Sequence, residues 1–552
     1  ECRHGWPGKC CGDRFAVLGQ VGIMPMRLGN LAFVLHAHLP FVRHPEHPEF
    51  LEEDWLFEAL TETYLPLIQM LDGLEADGVD WRLTMSVTPT LAAMFADPML
   101  QDRYQDRLKR LVELATKELE RTRWEPEFHH LARVYLERFT QCQSLYERLG
   151  RNPVSAFRRL SATGRLELIG CAATHAYLPL MAPNPKSQIA QVEIGCREFE
   201  RHFGLRPRGM WLPECGYTPG LDQVLRNCGI EYFFVDTHGV LLAEPRPRYG
   251  AFAPIKSPET GVMAFGRDQE SSRQVWSKVE GYPGDPWYRD FYRDIGFDLD
   301  YEYVRPYLNP FGERGAIGVK YYRITGAGDS KLPYDPGMAR MRAAEHAANF
   351  LFNREKQVEW IAGAMDGKVP LLVAPYDAEL FGHWWYEGPI WLEEVFRQAA
   401  NRARGIVLTT PMRHVESEGI AQVACPAFSS WGEGGYSTFW LNGNNDWIYP
   451  HLQEMATRME KLANLHQNPP ALIHRALNQA ARELMLSQSS DWAFCMTTGS
   501  HAEYAVNRVR DHTLAFIELE KQVLSGMIDS AWLSVVESKN NLFPDIDYRV
   551  FA

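Results

Sequence analysis

Five short apolar runs in this chain each run straight into a cluster of polar and aromatic residues. The clusters are His36-Ala37-His38-Leu39-Pro40, Thr174-His175-Ala176-Tyr177, Trp211-Leu212-Pro213-Glu214-Cys215-Gly216-Tyr217, Asp236-Thr237-His238-Gly239 and Ala374-Pro375-Tyr376-Asp377-Ala378-Glu379. In a parallel β/α barrel the side chains at the C-terminal strand ends converge on one face, so segments far apart in sequence share one pocket. That constraint governs how the rest of the chain is read.

Buried-strand runs occur at 31–35, 81–87, 166–170, 209–212, 231–235, 369–374 and 406–410, and most are separated by stretches long enough for a helix. Near-continuous apolar strands alternating with helices predict a parallel sheet covered on both sides. An open sheet and a closed barrel share this periodicity, but a barrel gathers five strand ends around one pocket more readily. Residues 96–160 interrupt the alternation. Leu108, Leu111, Val112, Ala115 and Leu119 have helical spacing, as do Leu131, Tyr135, Phe139, Cys142, Tyr146 and Leu149. From about 413 strands are expected to cease. Leu452, Met455, Met459 and Leu462 line one helix, Pro469-Pro470 resets the chain, and helices follow at 471–488 and 501–524, the latter ended by Ser525-Gly526. The expected domains are a barrel over 26–95 and 161–412, a helical insertion at 96–160 and a helical domain at 413–552. Residues 1–25 carry no apolar signal core and no pattern leading into the first strand, and are expected to be a non-native or disordered extension.

A formal net charge of −13 without a long basic run disfavours nucleic acid and anionic membranes as partners. No apolar stretch reaches the roughly 18 residues of a membrane span. The 10 Cys include no CxxC spacing, and several fall on expected core elements, which predicts a reducing cytoplasm. A neutral partner fits this surface better. The 16 Trp could stack on sugar rings, but composition alone favours the simpler reading of a large core.

Glu214 and Asp377 each follow an apolar strand where a side chain would face the pocket. Retaining glycoside hydrolysis needs two carboxyl groups about 5–5.5 Å apart, and only the fold could unite these two. Each could instead be a helix N-cap or first-turn acid. His36 and His38 are two apart and share a strand face. They could bind a divalent metal, with His175, Asp236, His238 or Asp377 completing the set. They could also be satisfied core histidines, or donors to sugar hydroxyls and to the nucleophile. Trp276, Trp384, Trp385, Trp431 and Trp440 lie in Gly-rich or polar surroundings, and Ser429 to Trp447 reads as a loop presenting aromatic platforms. Domain-interface packing is the competing account, and it leads for Ser489-Ser490-Asp491-Trp492 between two helices.

Taken together and in order, these motifs resemble glycoside hydrolase family 57, and within it the 1,4-α-glucan branching enzymes. The resemblance runs from about residue 28 to the C-terminus. It implies a distorted (β/α)7 barrel with a helical insertion and a C-terminal all-helical domain. It implies Glu214 as nucleophile and Asp377 as general acid/base. His36, His38, His175, Arg267, Trp276, Trp431 and Trp440 match positions that would bind substrate, with no metal or cofactor, and Asp491 is expected beside them as a further substrate-binding residue. The partner would be an α-1,4-glucan such as amylose or a glycogen-like polymer, in glycogen biosynthesis. The alternatives on this scaffold are an α-amylase or 4-α-glucanotransferase, and beyond them a metal-dependent hydrolase using His36 and His38. One departure stands out. Strongly branching relatives carry a long loop with a Tyr at its tip over the cleft. Here Val240 to Gly261 is short and Tyr249 sits in a compact turn, so hydrolysis could compete with transfer.

Overall fold

The computed structural model describes residues 27–552, apart from 278–279, 310, 327, 329, 402–404 and 421. The expectation for residues 1–25 lies outside the described residues. The strands are β1 (Arg27–Ala37), β2 (Leu83–Val87), β3 (Leu166–Cys171), β4 (Gly209–Trp211), β5 (Tyr232–Val235), β6 (Ile255–Lys256), β7 (Met263–Gly266), β8 (Leu371–Asp377), β9 (Gly405–Leu408) and β10 (Gln422–Val423). Their order across the sheet is β10-β6-β7-β5-β4-β3-β2-β1-β8, with β9 also on β1. Pairing is parallel throughout except between β6 and β7. The strands β1-β2-β3-β4-β5-β7-β8 curl into a barrel whose last gap is crossed, among the described residues, by a single main-chain bond, Asp268 N–H to the Val373 carbonyl at 2.8 Å. That weak closure makes this a distorted (β/α)7 barrel.

Strand parity explains what fills it and what crowns it. Side chains alternate faces along a strand. On β1, Ala32 and Val34 join Trp211, Tyr232, Phe234, Phe265, Leu371 and Val373 in one buried cluster inside the barrel. Leu31, Phe33 and Leu35 pack outward among the covering helices. Further along the same inward parity come His36 on β1, Asp377 at the end of β8, Asp236 after β5 and Arg267 after β7. The apolar interior therefore forms the floor beneath a polar rim.

The expected insertion is present as long helices at Pro98–Arg121 and Pro126–Arg148. Asp97 caps the first, accepting from Leu100 N at 3.1 Å, with Pro98 in the first turn. Leu108, Leu111, Ala115, Leu131, Tyr135, Phe139, Cys142 and Tyr146 are buried along the predicted stripes. At the C-terminus helices run over Ile448–Leu465, Ala471–Ser487, Ser490–Thr498, Ala502–Ser525 and Ser530–Lys539, and Gly526 takes the left-handed turn that ends the fourth.

Three expectations are corrected. β10 follows position 413, because Gln422 and Val423 pair with β6 at the sheet edge. Asp491 lies in the first turn of Ser490–Thr498 rather than between helices. Trp385 is core, 2% exposed and packed 5.5 Å from Trp391. Among the described residues no helix is long and apolar enough to cross a membrane.

Candidate active site

All ten residues expected at the site line one cleft of about 490 Å³ at the C-terminal strand ends. Its lining includes Glu214, Asp377, His36, His38 and His175, together with Arg267, Trp276, Trp431, Trp440 and Asp491. That volume suits a few sugar units rather than a single small ion.

Asp377 ends β8 directly beside His36 in the β1 register. Glu214 follows β4 in a short turn with φ 63, and His175 follows β3 with φ 57. Non-glycine residues in this left-handed region cost on the order of 1 kcal/mol and persist where neighbours hold them. Glu214 is held by its partners. Its carbonyl accepts the Trp431 amide at 2.9 Å, and two bonds between Tyr217 and Ser429 (2.8 and 3.1 Å) zip the same segments together. The loop after the barrel thus lays Trp431 over the acid.

The two carboxyls sit in contrasting surroundings. Burial pushes Glu214 up to about 7, and the Asp377 and Asp491 charges add to this, while the Trp431 donor opposes it. Trp431 Nε1 donates to Glu214 Oε2 at 2.7 Å and Ser490 Oγ to Oε1 at 3.1 Å. Burial also pushes Asp377 up to about 7, helped by the Glu379 charge and opposed by His38 and Arg267. The Asp377 carboxyl has no hydrogen-bond partner among the described residues. Donors favour the ionised form. By this hydrogen-bonding criterion Glu214, with two donors, is the carboxyl better suited to carry the charge.

The imidazoles lie in a layer. His36 stacks on Trp211 at 4.7 Å and His38 on His175 at 3.7 Å. His36 Nε2 meets His175 Nε2 at 2.9 Å, and His175 Nδ1 meets Ser490 Oγ at 2.8 Å. His38 Nε2 faces Asp491 at 3.0 Å and its Nδ1 faces Thr88 Oγ1 at 3.1 Å. Although burial pushes Asp491 up, its His38 partner holds it down at about 2. Two groups, His36/Cys171/His175 and His38/His175/Asp491, bring possible ligand atoms within 4.8 Å of one another. They do not fit a metal well. Each of these imidazole nitrogens is already engaged in a hydrogen bond, and burial pushes the Cys171 thiol well above its usual range.

Several lining residues escape sequence reasoning. Glu379 accepts from Tyr64 OH and, at 3.2 Å, from the His38 amide, and burial pushes it up to about 7. Phe439 and Phe494 form a pair at 5.6 Å. Trp384, one of the aromatic residues singled out from the sequence, does line the cleft, 56% exposed and stacked on Phe291 at 5.0 Å. Trp440 lines the cleft yet is 2% exposed and stacks on Tyr177 at 4.9 Å, so its platform role is shared with packing. Trp276 Nε1 and Trp440 Nε1 are buried donors with no partner among the described residues.

Comparison with known proteins agrees with this architecture. Residues 451–551 match the family "1,4-alpha-glucan branching enzyme, C-terminal". A 1,4-alpha-glucan branching enzyme of Thermococcus kodakarensis is 31% identical over 93% of this chain and 77% of its own length. The crystal structure of an alpha-amylase from Thermotoga maritima is 45% identical with a TM-score of 0.90, covering 96% of this chain and 99% of that one. That of the GH57-type branching enzyme from Pyrococcus horikoshii is 32% identical with a TM-score of 0.85, over 95% and 97% of the two chains. With residues 32–424 matching its model, the chain belongs to glycosyl hydrolase family 57.

Proposed function

We propose that this protein is a 1,4-α-glucan branching enzyme working by retaining double displacement. The observation that carries the reading is the asymmetry between two buried carboxyls in one aromatic-walled cleft. Glu214 is fixed by two donors and Asp377 by none. Glu214 attacks the anomeric carbon of an α-1,4-linked glucose while Asp377 protonates the departing oxygen. A β-linked glucosyl ester on Glu214 results. Asp377, now ionised, takes the proton from the 6-hydroxyl of an acceptor chain, and attack from the opposite face returns the α configuration as an α-1,6 branch. Only protein side chains are used.

His36, His38, His175, Arg267, Asp491 and the Trp276, Trp431 and Trp440 rings are read as substrate-binding groups, since they crowd the same cleft. The unpartnered indole donors of Trp276 and Trp440 suit sugar hydroxyls. The same reading assigns 26–95 and 161–412 to the catalytic barrel, 96–160 to the insertion and 413–552 to a helical domain that supplies Trp431, Trp440 and Asp491. The partner is an α-1,4-glucan, and glycogen synthesis in the cytoplasm is the setting that goes with it.

A hydrolytic second activity is favoured by one observation. Tyr249 is turned away from the cleft, its hydroxyl bonded to Asp366 at 3.0 Å and its amide to Gln422 at 2.7 Å. Nothing in the 240–261 segment lines the cleft, which leaves water a route to the intermediate. Incubation with amylose decides between the two. Branching gives new α-1,6 linkages faster than reducing ends, and reducing ends without branches would overturn the assignment.

A further inference from the structure

The nucleophile lies at the end of a chain of hydrogen bonds that starts on β2, two strands away from β4 in the sheet. Ser86 Oγ lies 3.2 Å from His36 Nδ1, His36 Nε2 lies 2.9 Å from His175 Nε2, His175 Nδ1 lies 2.8 Å from Ser490 Oγ, and Ser490 Oγ lies 3.1 Å from Glu214 Oε1. Strand pairing sets the first link, because Ser86 and His36 are register partners in β2 and β1. A second main-chain contact sets the third, with Ser490 N–H donating to the His175 carbonyl at 3.0 Å.

With neutral imidazoles each link carries one proton, and unless Ser490 accepts from both sides and leaves its own buried proton unused, the donors all point toward Glu214 or all point away. Pointing away requires a protonated Glu214 and leaves the Ser86 hydroxyl accepting from His36. Ser86 is fully buried and has no other partner among the described residues, so its own proton would then be orphaned. A buried unsatisfied donor is costly. Pointing toward Glu214 satisfies every group. Ser86 donates to His36 Nδ1, His36 Nε2–H to His175, His175 Nδ1–H to Ser490, and Ser490 to the ionised carboxylate. Burial lowers the pKa of His36 and of His175 well below the usual imidazole range, which keeps both rings neutral as this order needs.

We propose that Ser86, His36, His175 and Ser490 form a one-way donor relay that holds Glu214 ionised and aimed, with Ser490 as its positioning residue. The proposal rests on the assignment of Glu214 as nucleophile. It gives the helix Ser490–Thr498 a part in the chemistry, since Ser490 is the only relay member from the C-terminal helices. The other groups facing Glu214 include the Trp431 Nε1 donor, Asp377, Asp491, His38, Tyr177, Cys171 and Cys215, and none of these lies on the relay.

Two measurements test this. The relay fixes the proton on Nδ1 of His175 and on Nε2 of His36, which 15N imidazole shifts of histidine-labelled full-length protein report directly. Opposite tautomers, or an imidazolium at either ring at pH 7, would overturn it. The second is the pH profile of kcat/KM on amylose. Activity rises with pH as Glu214 ionises, so Ser490→Ala, which removes a donor to the carboxylate, moves the acidic limb up by about one pH unit. At a pH on that limb this is roughly a tenfold loss. Ser490→Thr keeps the hydroxyl and retains the wild-type limb. An active wild type whose profile superimposes on that of Ser490→Ala overturns the relay alone. A wild type inactive on amylose and other α-glucans would instead remove the functional reading beneath it, with the tautomers still decided by the shifts.

Discussion

Trp431 grips Glu214 twice: its indole N–H reaches Oε2 at 2.7 Å and its main-chain N–H reaches the Glu214 carbonyl at 2.9 Å. The first bond sets the charge and rotamer of the carboxylate, and the second supports a backbone held at φ 63. Trp431 itself comes from a loop after the barrel and meets Trp211 edge-on at 5.0 Å. The site is therefore completed by a segment that the barrel alone does not contain.

Trp431→Phe separates these contacts. The ring and the main-chain bond remain while the indole donor is lost. A hydrogen bond to a charged acceptor contributes about 1.5–3 kcal/mol, so kcat on amylose should fall about ten- to hundredfold. KM should change far less. A kcat equal to that of the wild type would show that the donor does not serve the nucleophile.

Azide can tell apart the roles proposed for Glu214 and Asp377. In Glu214→Gly an external azide takes the place of the missing nucleophile and attacks an activated α-glucoside directly, giving the β-azide. In Asp377→Ala the glucosyl ester still forms from a substrate with a good leaving group, and azide then resolves it to the α-azide. Product stereochemistry by NMR reads the outcome. The reverse pattern would exchange the two assignments.

The carboxyls also make a prediction about stability. Glu58, Glu214, Asp377, Glu379 and Glu387 are all pushed up to about 7, chiefly by burial. Between about pH 4 and 7 the folded protein keeps protons that the unfolded chain has already released, so stability falls as pH rises through this window. Glu62 and Asp491, held down at about 2, act in the opposite sense and lose their contribution only below about pH 4. Asp377 has no hydrogen bond to lose, so Asp377→Asn should stabilise the protein by about 1 kcal/mol or more at pH 8 and have little effect at pH 4. Thermal unfolding at the two pH values measures this. An equal shift at both would refute the burial account of Asp377.

Much of this site is legible in the chain because barrel topology converts local patterns into global ones. His36, Asp236, Arg267 and Asp377 each continue the inward parity of an apolar strand, so a strand-end motif already specifies direction. β7 escapes detection since Met263-Ala264-Phe265-Gly266 is only four residues long and has no β-branched residue. Trp385 deceives because its neighbour Trp384 lies in the cleft wall while its own side chain turns into the core. Glu379 and Ser490 carry no signal of their own. Their roles arise from partners remote in sequence, Tyr64 for one and His175 with Glu214 for the other.

Tyr249 supplies the last prediction. A branching reaction succeeds only when an acceptor hydroxyl reaches the glucosyl ester before water does, which requires shielding of the cleft. Tyr249 is the tyrosine in the segment that would supply a cover, but its hydroxyl bonds to Asp366 and its amide to Gln422, both away from the cleft lining. Tyr249→Ala should therefore leave the ratio of α-1,6 branches to reducing ends unchanged, at the cost of a minor loss of stability from an exposed hydrogen bond. Trp384, exposed and stacked on Phe291 at the rim, is placed to hold chain on the site instead. Trp384→Ala should raise KM for amylose several-fold while sparing turnover of a short activated glucoside, because a stacked ring contributes about 1 kcal/mol of binding to a chain that reaches it. If Tyr249→Ala were to shift product toward reducing ends, the turn would have to swing over the cleft in the working enzyme, and the hydrolytic side reaction would need another cause.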